Sequence, residues 1–406
     1  LLVGEAAVRI REARSRGLPA GDGLRVATLL VSMLANNGPD IDSSFAGFLS
    51  RPLGSLLHHR GHTHTFVLSP VLAAAALVVT LAVARYRGER FDGSEKKWLF
   101  GVGLVGVVIH IALDATNNYG VHPFWPFYSG WFYGDSIFIV EPFLWAALVP
   151  PLVFAVEARW ARISLGTVVL FGLGICWMRE FVPRSMAVAV TLLAVATTLA
   201  ARRATPSARV MVSAGAALAV GCAFAVSGAI ARADVRTAAA RDFPRARTHD
   251  IVMTPMPADP LCWQVVLVQT EDERYLARTG IVAILPSFMK SMDCPFDIWA
   301  SPTAPSERVA APPRSELLWV REFSAPLREL RSLARESCVF SALLRFARAP
   351  FWSTDPTLGR IAGDVRYDRS SGLDFSDTVL DGVGCPAQLP PWIPPTKPLL
   401  GDSSAR

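Results

Sequence analysis

Residues 66–84, FVLSPVLAAAALVVTLAVA, run without a charged side chain. At ~1.5 Å per residue a helix of this length crosses most of a hydrocarbon core, so the stretch predicts a membrane span. Similar runs follow at 98–113, 136–156, 163–178, 185–201 and 210–231, with Glu141 their one formally charged residue. Six spans are therefore expected. Two shorter helices precede them, at 24–36 and at 1–12, the latter only partly apolar because of Glu5, Arg9, Arg11 and Glu12. The sequence opens at Leu1, already inside helical patterning, and the expectation is that a further segment precedes it.

Composition agrees with a membrane protein. The 406 residues are 51% hydrophobic and 18% charged, where a soluble globule carries roughly 25% charged, and the mean hydropathy is +0.35. Intrinsic disorder, a coiled coil and a free cytosolic enzyme are excluded on that balance. The formal charge of +6 comes from 40 basic and 34 acidic residues. Arginines concentrate in short loops between apolar runs, which is a topology signal, and no nucleic-acid partner is expected. The loop 85–97 has Arg85, Arg87, Arg90, Lys96 and Lys97, and 202–209 has Arg202, Arg203 and Arg209. Five arginines fall in 9–25, and none in 114–135. Basic loops face the cytoplasm. Residues 37–65, 114–135 and everything after 231 are then expected on the outer face of the membrane, although Arg179 and Arg184 weaken the contrast.

After about 232 the sequence turns charged and Pro-containing, with strand-like runs at 263–270, 274–285, 316–323 and 361–368, a hairpin turn at Glu271, Asp272 and Glu273, and an amphipathic helix at 327–347. The expected fold class is thus mainly α, a polytopic helical membrane domain over 1–231, followed by an α+β extramembrane domain over 232–406 with an extended Pro-rich tail. Cys262, Cys294, Cys338 and Cys385 lie in that tail. On an oxidising face they permit disulfides in three connectivities, and unpaired buried thiols remain the alternative.

Histidine placement points to chemistry. Six of seven histidines (His58, His59, His62, His64, His110, His122) crowd into 65 residues together with Asp40, Asp42, Asp114 and Asp135, and His with carboxylate is a ligand set for zinc or another divalent first-row metal. His110 and Asp114 are one helical turn apart on an apolar helix, so both project from one face. In a soluble helix such a pair is most often structural; beside a bilayer, ionisable groups are costly and point to function. HHRGHTHT at 58–65 precedes the first clear span and offers either ligands or a solvated, pH-sensitive patch. Asp40 and Asp42 in PDID read as ligands or as a helix-stopping turn. Arg60 reads as a contact for an anionic substrate oxygen or as a lipid anchor. The aromatic loop NNYGVHPFWPFYSGWFYGD (117–135) reads as an interfacial belt or as the rim of a substrate pocket, and Asp135 closes it with no basic residue nearby.

Over roughly residues 1–145 these motifs resemble the membrane-bound metal-dependent hydrolases of the bacterial inner membrane, the YdjM-like family formerly described as a domain of unknown function. The motifs are PDID at Asp40–Asp42, HRGHTHT at His59–Thr65, HIALD at His110–Asp114, NNYG, and GDSIFIVEP from Gly134. PADPLCWQVV and GDVRYD look like the C-terminal region of longer members. Members usually carry a Thr-His pair just before the stretch matching Leu1, which is absent here, and Glu141 stands where an Asp is frequent. The resemblance implies a helical, multi-metal site, similar in kind to that of zinc-dependent phospholipase C and nuclease enzymes, acting on an ester or a phosphoester. The residues read as its metal ligands are Asp40, Asp42, His64, His110 and Asp114, with His59 as a ligand or a supporting group behind the ligands, Asp135 as ligand or general base and Arg60 as substrate contact. The expected cofactor is a divalent metal, zinc first, and the expected partner is membrane lipid, as surroundings or as a headgroup substrate. A metal or proton transporter and a non-catalytic assembly protein are the rival readings.

Overall fold

In a computed structural model of the protein, residues 1–14, 21–49, 53–295, 303–368 and 372–401 are described. Part of the basic stretch 9–25 lies outside them. Two helices open the chain, α1 (Leu2–Arg14) and α2 (Asp22–Asn37), followed by a 3-10 turn at Pro39–Asp42 and the short helices α3 (Ser43–Leu49) and α4 (Gly54–His58). A second 3-10 turn, His62–His64, leads into α5 (Ser69–Tyr86) and α6 (Gly93–Asp114). Next come α7 (Pro142–Ala155), α8 (Arg159–Met178), α9 (Arg184–Arg203) and α10 (Pro206–Asp242). Among the described residues, α5, α6, α8, α9 and α10 are long and apolar enough to cross a membrane.

The run 136–156 behaves differently from the other five. Its helix, α7, has 14 residues, ~21 Å in length, because residues 136–141 stay outside it: Glu141 is the N-cap, its carboxylate accepting from the Phe143 amide at 3.1 Å, and Pro142 occupies the first helical turn. Apolar composition counted the lead-in as helix.

Small residues set how closely α2 and α6 approach. A side chain at Gly103 or Gly106 would meet Val31, Ala35 and the Asn36 backbone within about 3.6 Å, and Asn36 Nδ2 donates to the Gly106 carbonyl at 3.0 Å, the close packing typical of membrane helices. Beyond this crossing, the turn after α2 sits against the last turn of α6.

The helix α10 does not stop at the composition break. At 37 residues it spans ~55 Å, more than a bilayer core, and its last turns become part of the next domain: Ala231, Val235, Ala238 and Ala239 pack against Trp263, Val265, Leu267 and Trp319. These belong to an antiparallel sheet of β1 (Arg247–Met256), β2 (Asp259–Glu271), β3 (Arg274–Ala283), β4 (Ser306–Arg308) and β5 (Leu317–Pro326), in the order β1-β2-β3-β5-β4. The expected hairpin turn is present, with Asp272 and Glu273 both at positive φ. The amphipathic run 327–347 divides into α11 (Leu327–Glu336) and α12 (Cys338–Leu343), because Ser337 is extended and its hydroxyl caps the Phe340 amide. A smaller sheet of β6 (Pro350–Asp355), β7 (Gly359–Asp364) and β8 (Thr378–Val379) and a last helix, α13 (Lys397–Leu400), complete the chain. Disulfides join Cys262 to Cys294 and Cys338 to Cys385, while Cys176 and Cys222 are free thiols.

One core crosses the two sequence regions: Leu53, Leu56, Leu57 and Tyr119 are buried with Phe340, Phe346, Phe351 and Leu399. Gly228 marks the tightest contact of α10 with the sheet, since a Cβ there would lie 2.8 Å from Trp263 Cη2. Gly228→Val should therefore lower the unfolding free energy by about 1–3 kcal/mol through overpacking, read as a lower thermal midpoint in detergent. Gly221→Val on the same helix, with nothing within 4 Å of its Cβ, should leave the midpoint unchanged.

Candidate metal centre

The site forms where three elements end. A reciprocal capping box between Asp92 and Glu95 starts α6, and 22 residues later the helix delivers His110 and Asp114 at its far end. The turn after α2 supplies Asp40 and Asp42; the turn before α5 supplies His64. Four atoms converge. His64 Nε2 lies 3.3 Å from His110 Nε2, 3.2 Å from Asp114 Oδ2 and 3.5 Å from Asp40 Oδ1, and His110 Nε2 lies 3.3 Å from Asp114 Oδ2 and 3.5 Å from Asp40 Oδ1.

These spacings decide what the cluster can hold. Four donors at ~2.0–2.1 Å around a tetrahedral zinc lie about 3.3 Å from one another, and the five distances above run along such edges. Two imidazole nitrogens turned toward each other and toward two carboxylates form a group that could hold a cation. His64 is fully buried, His110 and Asp114 are 14% and 16% exposed, and Asp40 is 45% exposed, so Asp40 stands on the rim.

Asp42 serves the cluster from behind. Its side chain, 2% exposed, accepts from Thr63 Oγ1 at 2.6 Å, His59 Nδ1 at 2.8 Å and the Arg60 amide at 3.1 Å, and meets His64 Nδ1 at 3.2 Å. A carboxylate on the far nitrogen of a ligating histidine fixes its tautomer and orientation. Asp42 and His59 are thus outside the converging four: Asp42 orients His64, and His59 leans on Asp42 and Ser43.

Arg60 also turns inward. It adopts φ 57°, uncommon for a residue with a Cβ, and its guanidinium is held by Asp114 Oδ1 at 3.0 Å and Asn117 Oδ1 at 2.9 Å over the Tyr119 ring. At 4% exposure it braces a cluster carboxylate. Next to it, Gly61 leaves room that a Cβ would not, being 2.8 Å from the His58 carbonyl and 3.2 Å from Trp392.

Asp135 stands elsewhere, and it does have basic partners. Arg348 grips both its oxygens at 2.6 and 3.0 Å, and Arg232 adds a contact at 2.9 Å. These arginines lie 213 and 97 residues away in sequence, so the apparent isolation of Asp135 was local only. The remaining histidines are packing groups: His122 stacks on Trp392 at 3.7 Å, His62 lies against Trp125 and Trp392, and His58 Nε2 is 3.2 Å from the Gln388 carbonyl. Burial keeps His122 neutral, its pKa lowered to about 3. Asn117, Thr63 and Trp392 were not singled out from the sequence; Asn117 and Thr63 lie inside quoted motifs, whereas nothing local marks Trp392.

Residues 1–182 match the family described as YdjM inner membrane protein. The match covers 182 of the 406 residues, all in the helical N-terminal part of the chain. The match reaches past the motifs, through α7 and α8, and stops before α9 and the sheet domain. No curated protein and no solved structure matches the chain.

Burial disfavours a charged His64 ring, but its hydrogen bonds to Asp114, Asp40 and Asp42 outweigh this and raise its pKa to about 10. Hydrogen bonds from His110 and His64 in turn hold the Asp40 carboxyl below the usual carboxylate range. Without metal the His64 ring is therefore protonated at neutral pH, and a cation must displace that proton. Metal affinity should rise with pH toward 10, and calorimetric titration in buffers of different ionisation enthalpy should register proton release. Among variants, His110→Ala and Asp114→Asn should lower metal stoichiometry, Asp42→Asn should weaken affinity about 10–100-fold, and His249→Ala should change neither, all read by metal analysis after dialysis against a competing chelator.

Proposed function

We propose that the membrane domain is a metal-dependent hydrolase acting on an ester, foremost a phosphoester, with a divalent cation, zinc first, held by His64, His110 and Asp114, while Asp40, the most exposed donor of the cluster, leaves the fourth position to water. The observation that carries this reading is the set of tetrahedral edge lengths among those four donors. A donor set of histidine and carboxylate, without thiolate, fits a catalytic zinc site better than a structural one. When bound, such an ion lowers the pKa of a water and offsets charge developing on the ester oxygens.

The chain's own groups divide the remaining work. Asp42 fixes the ring of His64 so that Nε2 faces the centre. Arg60 and Asn117 hold Asp114 in place. Asp40, on the rim, is the carboxylate open to solvent: as a water oxygen bonds to phosphorus and the P–O bond to the alcohol breaks, Asp40 takes the water's proton and returns it to the departing alcohol oxygen. That role falls to Asp40 because both oxygens of Asp135 are engaged by arginine. A transport relay is disfavoured by placement: α5, α7, α8 and α9 contain no Asp, Glu or His, so these four helices offer no acidic or imidazole step across the membrane.

The site and the sheet domain belong, on this reading, to the outer face. Two independent features support it: the basic loops at 85–97 and 202–209 lie at the opposite helix ends, and two disulfides in the sheet domain suit an oxidising compartment.

Zinc-loaded protein should hydrolyse bis(4-nitrophenyl) phosphate, lose the activity to a chelator and recover it with metal. Asp40→Asn should lower turnover by ~10²-fold or more while metal remains bound. Single cysteines placed at Arg90 and Asp272, in protein lacking Cys176 and Cys222, should label from the cytoplasmic and outer sides respectively; labelling of both from one side refutes the orientation.

A further inference from the structure

We infer that the substrate of this site is a membrane lipid with a phosphodiester headgroup, which reaches the metal cluster sideways from the bilayer. The inference rests on the phosphoester reading above and adds where the substrate comes from.

The mouth of the cluster borders the lipid-facing surface. On α6 the exposed positions Val105, Ile109 and Leu113, at 50%, 37% and 52%, form one stripe, each four residues from the next. Ile109 and Leu113 immediately precede His110 and Asp114, so the stripe ends one helical position, about 100° of rotation, from two cluster residues. Ile41, beside the rim residue Asp40, is 56% exposed. The stripe from Val105 to Leu113 is ~12 Å long, enough to seat the upper part of an acyl chain.

Among the described residues, other sides of the cluster are occupied. Asp42 and Thr63 lie behind His64, and Arg60 fills the side of Asp114. The sheet domain roofs the histidine loop, with Trp392, 1% exposed, donating to the Leu57 carbonyl at 2.8 Å and stacked on His122. The remaining approach runs past Asp40, Ile41 and the α6 stripe. Apolar side chains at such a rim are costly in water and at no disadvantage in lipid. Charge fits as well: with one divalent ion bound, the charges of Asp40, Asp42, Asp114 and Arg60 balance, so a phosphodiester anion enters against no net repulsion.

A soluble phosphodiester shares the head chemistry and lacks the chain, which separates the two sources. Turnover by the metal-loaded full chain is measured on bis(4-nitrophenyl) phosphate and on phosphatidylglycerol in nanodiscs, for wild type, for Ile41→Gln/Leu113→Gln, and for Val78→Gln, an equally polar change on the exposed face of α5. The expected result is that wild type cleaves both. The double variant should lose about tenfold or more on the lipid, stay within about twofold on the soluble ester and keep its metal, while Val78→Gln changes neither rate. Cleavage of the soluble ester with the lipid left intact overturns this inference and leaves the hydrolase reading standing. So does an equal loss on both substrates, or no loss on the lipid. Failure of the metal-loaded wild type on both overturns inference and reading together.

Discussion

A single buried carboxylate organises the site. Asp42 gathers donors from His59, Arg60, Thr63 and His64, four groups within a span of six residues, and so folds the loop before α5 around itself. An ionised carboxylate at 2% exposure is tolerable only when its oxygens are satisfied. The same contacts hold Arg60 in its left-handed conformation and set the direction of His64. Removing any one donor leaves a buried lone pair unsatisfied, at ~1–3 kcal/mol. The His64 nitrogen that faces His110 and Asp114 is therefore placed by the nitrogen that faces Asp42.

The second organising constraint is the sheet domain, which is bonded to the membrane domain from several directions. The continuous helix α10 enters its core. Arg348 bridges Asp135 and Asp250, and Arg366 reaches the Asn118 carbonyl at 2.6 Å. The Pro-rich tail crosses the histidine loop, fixed by Trp392 and by the Ile393 amide on the Ser129 carbonyl. The contacts to Leu57, Asn118, Ser129 and Asp135 lie at the end of the spans that carries the metal cluster, so the roof and the site stiffen one another.

Chemistry and packing divide the histidines. Rings that meet carboxylates, His64 and His110, converge with Asp40 and Asp114. Rings that meet indoles, His62 and His122, become tightly packed parts of the roof, where burial lowers the pKa of both. The difference lies in what arrives opposite each ring: His122 is held between Trp131 of its own loop and Trp392 from the far end of the chain.

The sequence by itself determined five of the six expected spans, the level at which the site's polar groups gather, and the placing of His110 and Asp114 on one helix face. Apolar run length and the helical repeat are local properties, and both survive into the structure wherever a helix is long. The hairpin of β2 and β3 was legible for the same reason. Only the tertiary structure decided that Asp42 stands behind His64, that Arg60 braces Asp114, that Asp135 is spent on Arg348 and Arg232, and which cysteines pair. It also decided that α10 runs on past the change in composition, because a helix ends where its caps and packing end it. These outcomes depend on groups brought together from distant positions, and a buried charge takes whichever partner the fold delivers.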